Sequence, residues 1–281
     1  MNKVEELERI ALQVRRDIIR MVFNAQSGHP GGSLSCTDMM VALYFEAMNI
    51  DPKNFSTQGR NEDMFFLSNG HISPLWYSVL SRRGYFDVKN LSSFRFLHSP
   101  LQGHPSPRYN IPGIRIASGS LGQGLSVAIG AALAKKMNND ENIVFSLHGD
   151  GELQEGQIWE GVLYAGAKKV DNLISIIDYN NAQIDGSVDE VLSLGDLKAK
   201  FLSFNWIVLE AKGNDMEDCL RVLFEAKQLT KNNKPIVILM HTLMGFAIDF
   251  MQGKNSWHGK APNKEQTEIA LAQLEETLGD F

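Results

Sequence analysis

The chain has 281 residues, and its balance of 43% hydrophobic and 21% charged residues excludes a disordered polypeptide. The formal net charge of −6, with Lys and Arg scattered along the chain, disfavours nucleic acid as the main partner. The two cysteines are Cys36 and Cys219, and neither has a partner nearby in the sequence, which argues against a disulfide framework and a thiolate metal site.

The N-terminal segment predicts an amphipathic helix, because apolar residues recur in steps of three and four from Leu7 to Val22. The segment has no apolar signal core, and no apolar run elsewhere reaches membrane-spanning length, so we expect a cytoplasmic protein. After the loop "QSGHPGGS", Ser35 and Asp38 resemble a capping box, which predicts that a second helix starts at this point.

Short apolar runs farther along the chain predict buried strands, because they are rich in β-branched and aromatic residues without clear alternation. Helical stretches separate most of these runs, which is typical of an α/β fold with a parallel β-sheet flanked by helices on both faces. In the absence of a linker or repeat, we expect residues 1–281 to form a single domain. The strand runs are 64–68, 142–147, 172–178, 205–210 and 235–242, and the helical stretches are 120–137, 155–169, 194–204, 215–229 and 262–278.

The stretch "HGDGELQEGQ" places Asp150 between two glycines directly after the second strand run. Glycine allows a tight turn and close approach of a ligand there. The next strand run ends near Asn180, and one intervening helix and strand would bring the two loop tips side by side. A carboxylate, an amide oxygen and a nearby backbone carbonyl suit Mg²⁺ or Ca²⁺, which can bridge to a diphosphate. The loop has no lysine, so a metal ion would neutralise the phosphates.

These residues resemble the signature of thiamine diphosphate enzymes, in which a GDG turn precedes a double Asn by about 30 residues. The rest of the chain narrows the resemblance to transketolase, whose characteristic stretches occur in order from about residue 10 to about residue 265. So many ordered matches make coincidence implausible. The matching stretches are "SGHPGGSLS", "LSNGH", "LQGHP", "GSLGQGLS", "GDGELQEGQIWE", "IDG" and "WHGKAPN".

The resemblance implies that the chain binds thiamine diphosphate through Mg²⁺, with Ca²⁺ or Mn²⁺ as alternatives. The implied metal ligands are the side chains of Asp150 and Asn180 and the main-chain oxygen of Ala182. The remaining implied cofactor contacts are divided between the diphosphate and the two rings of the cofactor. They are His71, Gly149, Gly151 and His258 at the diphosphate, and Gly119 and Leu121 at the aminopyrimidine and thiazolium.

The resemblance also implies a substrate channel lined by histidines that bind ketose hydroxyls and shuttle protons. Imidazole suits this task because it can donate or accept a proton near neutral pH. Glu155 is implied to hydrogen-bond across the dimer interface, although an acidic residue early in a helix is also favoured by the helix dipole. The implied channel histidines are His29, His71, His104 and His258.

Three other histidines match no catalytic position of the family. His98 has no predicted role, and His241, inside an apolar strand run, is predicted to be a hydrogen-bonded core residue. His148 stands where an aliphatic residue is more usual, and a structural role at a strand end is favoured over contact with the diphosphate.

Transketolase-like enzymes build each active site from two domains, and this chain resembles only the one that grips the diphosphate. We therefore expect a separate C-terminal subunit to carry the pyrimidine-binding domain, the activating glutamate and the phosphate-binding arginines, in an α2β2 assembly. The implied reaction moves a two-carbon ketol unit from a ketose to an aldose.

Several alternatives stay open at this point. Segments 103–114 and 242–259 depart from the usual family pattern, so the donor and acceptor sugars, including a modified sugar phosphate, are undecided. Other thiamine diphosphate enzymes, such as a 2-oxoacid dehydrogenase subunit or deoxyxylulose phosphate synthase, are less favoured because they do not need the histidine set. A non-catalytic regulatory subunit is disfavoured by the intact metal and histidine residues.

Overall fold

The predicted strand runs all form strands in this computed structural model, which describes residues 2–281. These five runs build one parallel sheet, because each is an apolar run that can be buried between two layers. The strands are β1 (Met64–Leu67), β2 (Val144–Gly149), β3 (Leu173–Tyr179), β4 (Ala182–Gln183), β5 (Gly186–Ser187), β6 (Ile207–Lys212) and β7 (Ile236–His241). The sheet order is β1-β2-β3-β7-β6, and β4 and β5 form a separate antiparallel ribbon.

Helices connect the strands and cover the sheet. The first helix has the predicted amphipathic character and begins with a capping box in which Asn2 and Glu5 exchange hydrogen bonds. The helices are α1 (Lys3–Ala25), α2 (Pro30–Ser35), α3 (Thr37–Ala42), α4 (Ser73–Arg83), α5 (Gln123–Met137), α6 (Gly156–Ala167), α7 (Val188–Leu192), α8 (Leu197–Ser203), α9 (Met216–Gln228) and α10 (Lys264–Gln273).

The apolar core lies in two layers, one on each face of the sheet. Alternate residues of β1 enter opposite layers, with Phe65 in the layer that contains α1, α3, α4 and α9. Phe66 enters the layer that contains α5, α6 and α8. Burying one such side chain contributes about 1.5–3 kcal/mol, so both layers stabilise the sheet and hold its loops in place.

The predicted capping box at Ser35 is wrong. Helix α2 begins at Pro30 and ends at Ser35, and Cys36 separates it from α3 without a side-chain cap. The Ser35 hydroxyl donates instead to the Gly32 carbonyl and, at 2.8 Å, to the Asp178 carboxylate. The local pattern was misleading because a buried acceptor from a distant strand engages this hydroxyl.

Helix α4 was not predicted, and its burial explains why. Residues 73–81 are all buried, so the segment has no polar face to create a helical period. It follows β1 after a short loop and packs against α1. Across residues 2–281, none of the helices combines the length and the apolar character needed to span a bilayer.

The candidate active site

A cavity of about 510 Å³ opens at the carboxyl edge of the sheet, where the loops after β1, β2, β3 and β7 meet. This is the edge where open parallel sheets bind ligands. The cavity brings together every site residue predicted from the sequence. These residues are His29, His71, His104, Gly119, Leu121, Gly149, Asp150, Gly151, Glu155, Asn180, Ala182 and His258.

Asp150 lies on the turn after β2, and its carboxylate is almost fully buried. It accepts hydrogen bonds from the backbone amides of Gly151, at 2.7 Å, and Asn181, at 2.5 Å. Burial, and next the nearby carboxylate of Asp178, raise the pKa of Asp150 to about 7. A bound cation would lower this pKa, because an opposite charge favours the ionised carboxylate.

The oxygen atoms next to Asp150 fit a hard divalent cation. The Asn180 amide donates to Asp178 at 2.9 Å, which turns its oxygen towards the backbone amide of Ala182 at 2.8 Å. No cluster of three His, Cys, Asp or Glu side chains within residues 2–281 could hold a metal ion. A cation here would therefore have a mixed set of carboxylate, amide and carbonyl oxygens, which suits Mg²⁺ or Ca²⁺.

Three histidines form one wall of the cavity. The ring centroids of His29 and His71 are 5.0 Å apart, and those of His71 and His258 are 5.2 Å apart. His104 stands beside them against Gly119, where a Cβ atom would lie 2.8 Å from the His104 ring. Gly119 has a φ of +120°, so the loop needs glycine both for its backbone and for the space that His104 fills.

The histidine rings are held neutral near pH 7. Burial, and next the neighbouring His258 and Arg95, lower the pKa of His29 to about 4. Burial and the adjacent His29 lower the pKa of His71 to about 3. Burial likewise lowers the pKa of His104 and His258. A neutral imidazole offers one donor and one acceptor, which is what recognition of a hydroxyl requires.

Two of these rings keep a free nitrogen. The Nδ1 atoms of His29 and His258 are buried and find no hydrogen-bond partner within residues 2–281. A buried polar atom without a partner costs roughly 1–3 kcal/mol. This cost is consistent with a ligand that completes the hydrogen bonds.

Glu155 and Leu121 lie at the rim of the cavity. Glu155 is the N-cap residue of α6, is exposed, and makes no capping hydrogen bond with its side chain. Leu121 precedes α5 and is 36% exposed. Both side chains are therefore accessible from outside the cavity.

The remaining histidines lie outside the cavity. His148 is buried at the end of β2, and its Nε2 lies 2.9 Å from the Ser146 hydroxyl, which agrees with the expected structural role. His98 lies in an exposed loop. The prediction for His241 is wrong, because the side chain is 50% exposed and bonds to Glu210 at the end of an outer pair of strands.

Residues that the sequence did not single out also line the cavity. Glu152 and Asp178 are buried carboxylates, and Asn69 follows β1 with its Oδ1 unpartnered within residues 2–281. Asp178 accepts hydrogen bonds from Ser35, Asn180 and Thr242. A polar side chain at the end of an apolar strand run is the one signal that could have identified Asn69 and Asp178.

The two segments that depart from the family pattern flank the cavity. Segment 103–114 carries His104 and then continues as an exposed turn that includes Pro107–Tyr109. Segment 242–259 contributes Met244 and His258 to the cavity wall. A hydrogen bond of 3.0 Å from the Gly245 amide to the Gly31 carbonyl holds this segment against α2.

Comparison with protein families agrees with this geometry. Residues 8–279 match the family model described as transketolase, thiamine diphosphate binding domain. The fold and the site thus define the class of the chain as a thiamine diphosphate-binding α/β protein. The chain belongs to the transketolase family, and the resemblance predicted from the sequence is confirmed at this level.

Similar proteins of about the same length are known. The chain is 37% identical over 276 residues to an apulose-4-phosphate transketolase subunit of Phocaeicola vulgatus, with 98% of this chain and 96% of the relative covered. It is 36% identical over 270 residues to the 6-deoxy-6-sulfo-D-fructose transketolase subunit SqwG of Clostridium sp., with 96% of each covered. These matches favour transketolase over the other thiamine diphosphate enzymes considered above.

Solved transketolases confirm the predicted fold. The chain superposes on transketolase from Campylobacter jejuni with a TM-score of 0.89 and 34% sequence identity, covering 98% of this chain. It covers only 43% of that chain, so it spans less than half of the longer enzyme.

Proposed function

We propose that this chain is the diphosphate-binding subunit of a two-chain transketolase, and that it is active only with its partner. The complex would move a two-carbon ketol unit from a ketose phosphate to an aldose phosphate. The observation that carries this proposal is the match to relatives named as transketolase subunits, of which the chain covers 96%. A C-terminal subunit with the pyrimidine-binding domain would complete each site, in an α2β2 assembly.

In this proposal, the carboxyl edge of the sheet holds the diphosphate and its metal ion. Asp150, Asn180 and the main-chain oxygen of Ala182 would bind Mg²⁺, and the buried, unneutralised carboxylate of Asp150 supports this assignment. Thiamine diphosphate supplies carbanion stabilisation when it is bound. The glycine turns would let the backbone approach the cofactor closely, at Gly149 and Gly151 for the diphosphate and at Gly119 for the rings.

The proposed role of the histidine wall is to orient the sugar and to move protons. His29 and His104 would bind ketose hydroxyls, while His71 and His258 would lie nearer the diphosphate. Their neutral state and the Nδ1 atoms of His29 and His258, which lack a partner within residues 2–281, support the orienting part of this role, because each neutral ring can accept a hydrogen bond at one nitrogen.

Glu155 is proposed to contact the cofactor-activating glutamate of the neighbouring subunit, and Leu121 to contact the cofactor rings. Exposure of both side chains at the rim supports these assignments. The same exposure is consistent with a partner subunit that covers the cavity.

A modified sugar phosphate or a sulfonated sugar is a second candidate substrate. The similar proteins from Phocaeicola vulgatus and Clostridium sp. are named for apulose 4-phosphate and 6-deoxy-6-sulfo-D-fructose, respectively. The unusual segments 103–114 and 242–259 at the cavity support a substrate other than the common ketoses. With common sugar phosphates, the reaction would belong to the pentose phosphate pathway.

We place the protein in the cytoplasm as part of this proposal. Cys36 and Cys219 are both buried free thiols in the structure. Free thiols persist in a reducing compartment, which supports that location. Cell fractionation followed by detection of the chain would test it.

The test of the proposed function is purification of the chain from its native cells, with mass spectrometry of the proteins bound to it. The eluate is then assayed for ketol transfer with thiamine diphosphate and Mg²⁺, using common, branched and sulfonated sugars. We expect a second chain with the pyrimidine-binding domain and ketol transfer that requires it. A chain that stays inactive with a recombinant candidate partner on every sugar would contradict the proposal.

A further inference from the structure

Glu152 is a buried carboxylate that connects three separate loops of the cavity. It is only 3% exposed and follows the turn after β2. It accepts hydrogen bonds from the Ser68 hydroxyl, from the Gly122 amide at 2.7 Å and from the Gly149 amide at 3.2 Å. These donors lie on the loop after β1, on the loop before α5 and at the end of β2.

Each of these loops carries a residue with a proposed role at the cofactor. The loop after Ser68 continues to His71, the loop at Gly122 follows Leu121, and Gly149 precedes Asp150. Ser68 and Gly122 lie 84 and 30 residues from Glu152, whereas Gly149 lies three residues from it, so Glu152 joins two distant loops to its own turn. Glu152 provides that anchor with both of its oxygen atoms.

Close packing makes this anchor sensitive to small displacements. A Cβ atom at Gly124 would lie 2.4 Å from the Ser68 hydroxyl, and Gly122 has a φ of +83° that favours glycine. His148 lies on the strand side of this carboxylate, with its Nδ1 3.7 Å from the Glu152 carboxylate. The arrangement has little room to adapt when one hydrogen bond is lost.

We propose that Glu152 is a positioning residue that holds the histidine loop, the ring-contacting loop and the metal loop in the arrangement that binds thiamine diphosphate. It acts through these loops, because its oxygen atoms are already engaged by them. The affinity for the cofactor therefore depends on Glu152. This inference rests on the proposed function only for the identity of the cofactor.

Replacing Glu152 by glutamine tests the anchor with almost no change of volume. A glutamine has one oxygen atom and one NH₂ group at the positions of the two carboxylate oxygens. Its oxygen can serve Ser68 and Gly122, but its NH₂ group then faces the donor amide of Gly149. At least one loop therefore loses its hydrogen bond, whichever way the amide is turned.

Asp63 offers a matched control at the opposite edge of the sheet. It is 2% exposed and accepts hydrogen bonds from the backbone amides of Asn49, at 2.8 Å, and Ile143, at 2.7 Å. Asp63→Asn makes the same chemical change on a carboxylate that also joins two segments. It lies away from the cavity, so it reports the cost to stability alone.

The experiment measures the affinity for thiamine diphosphate with Mg²⁺ by calorimetry, on the full chain together with any partner chain that co-purifies. We expect Glu152→Gln to weaken binding by about 10- to 100-fold, the usual loss for a residue that orients ligands from behind. Asp63→Asn should bind within about twofold of the wild type. Equal affinity of folded Glu152→Gln and the wild type, or an equal loss in both variants, would overturn the proposal.

Hydrogen exchange at the Gly122 and Gly149 amides, measured without cofactor, gives a readout that does not require binding. We expect faster exchange at both amides in Glu152→Gln and no change in Asp63→Asn, whereas unchanged exchange would contradict the anchor. Should Glu152→Gln fail to fold, Ser68→Ala removes one of the three donors and should give a smaller loss of affinity. A wild type that does not bind thiamine diphosphate would refute the proposed function and leave the exchange test of the anchor intact.

Discussion

The two edges of the sheet bury polar groups for different purposes. At the carboxyl edge, His29, His258 and Asn69 each keep a buried atom with no hydrogen-bond partner within residues 2–281. At the amino edge, the buried ammonium of Lys135 donates to the carbonyls of Gly59 and Glu62 and to the Asp140 carboxylate. An unpartnered buried atom costs stability. The three at the carboxyl edge all line the cavity, where a ligand could complete their hydrogen bonds.

Asp140 at the amino edge and Asp150 at the carboxyl edge have pKa values shifted in opposite directions. Burial opposes the ionisation of Asp140, but hydrogen bonds from Lys135 and Asn142 hold the pKa of that carboxyl well below its ordinary value. At the carboxyl edge, burial and Asp178 raise the pKa of Asp150 instead. Asp140 thus has the ammonium of Lys135 at 2.8 Å, whereas Asp150 accepts hydrogen bonds from backbone amides, which leaves its charge to be neutralised by a ligand.

The largest expected effect is at Asp150. Asp150→Ala should abolish metal-dependent binding of thiamine diphosphate, because it removes the only carboxylate of the proposed metal site. Calorimetry with Mg²⁺ measures this, and unchanged affinity would contradict the metal assignment.

The same residue should show a trade between function and stability. The pKa of Asp150 is about 7 in the folded state and 3.8 in the reference state, so ionisation disfavours the cofactor-free fold as the pH rises through this range. The isosteric Asp150→Asn should therefore raise the melting temperature above about pH 7, by a few degrees, and should change it little below about pH 4. A lower melting temperature above about pH 7 would instead show that the charge contributes to stability.

The next largest effect concerns the histidine wall. His29→Ala and His104→Ala should each lower the rate of ketol transfer by about 10²- to 10⁴-fold, the usual contribution of a proton-transfer group. Their melting temperatures should change much less than their rates. Parallel losses of rate and thermal stability would instead assign these rings a structural role.

A substitution of Lys135 tests the pairing of buried charges at the amino edge of the sheet. Lys135→Met should reduce the free energy of unfolding by about 3 kcal/mol, because it leaves Asp140 and two carbonyls without their partner. Urea unfolding measures this loss, and cofactor affinity should be unchanged. The neighbouring Lys136, whose side chain is 42% exposed and pairs with Asp171, is the control, and Lys136→Met should cost less than about 1 kcal/mol.

Acid should destabilise the carboxyl edge through its histidines. The pKa of His29 is lowered from 6.5 to about 4 and that of His71 to about 3, so only the unfolded chain binds these protons just below pH 6.5. Stability is therefore lost as the pH falls from 6.5 towards 4, by roughly 1–3 kcal/mol for each ring. Urea unfolding across this range should show a smaller loss in His71→Gln, and an equal loss would show that other groups dominate.

The smallest expected effect is at His241. Its side chain is half exposed and pairs with Glu210, so His241→Ala should change the free energy of unfolding by less than about 1 kcal/mol. Thermal unfolding measures this change. A loss of unfolding free energy well above about 1 kcal/mol would instead support a core role for His241.

The strands were the part of the fold most accessible to prediction. A buried parallel strand needs a continuous apolar run, and the run at 235–242 contains Ile236–His241. Helix α4 was missed because burial of residues 73–81 leaves no helical period. Ser35 was misread because its hydroxyl bonds to Asp178, a partner 143 residues away.

By itself, the sequence determined the family, the alternation of strand and helix, and many of the residues at the cavity. Asp150 and Asn180 could be placed together because the carboxyl ends of parallel strands meet at one edge. Only the tertiary structure decided which carboxylates hold the loops. Glu152 bonds to Ser68 and Gly122, which are 84 and 30 residues away. Such partners are set by how the strands and helices pack, since a hydrogen bond between distant segments leaves no local pattern in the chain.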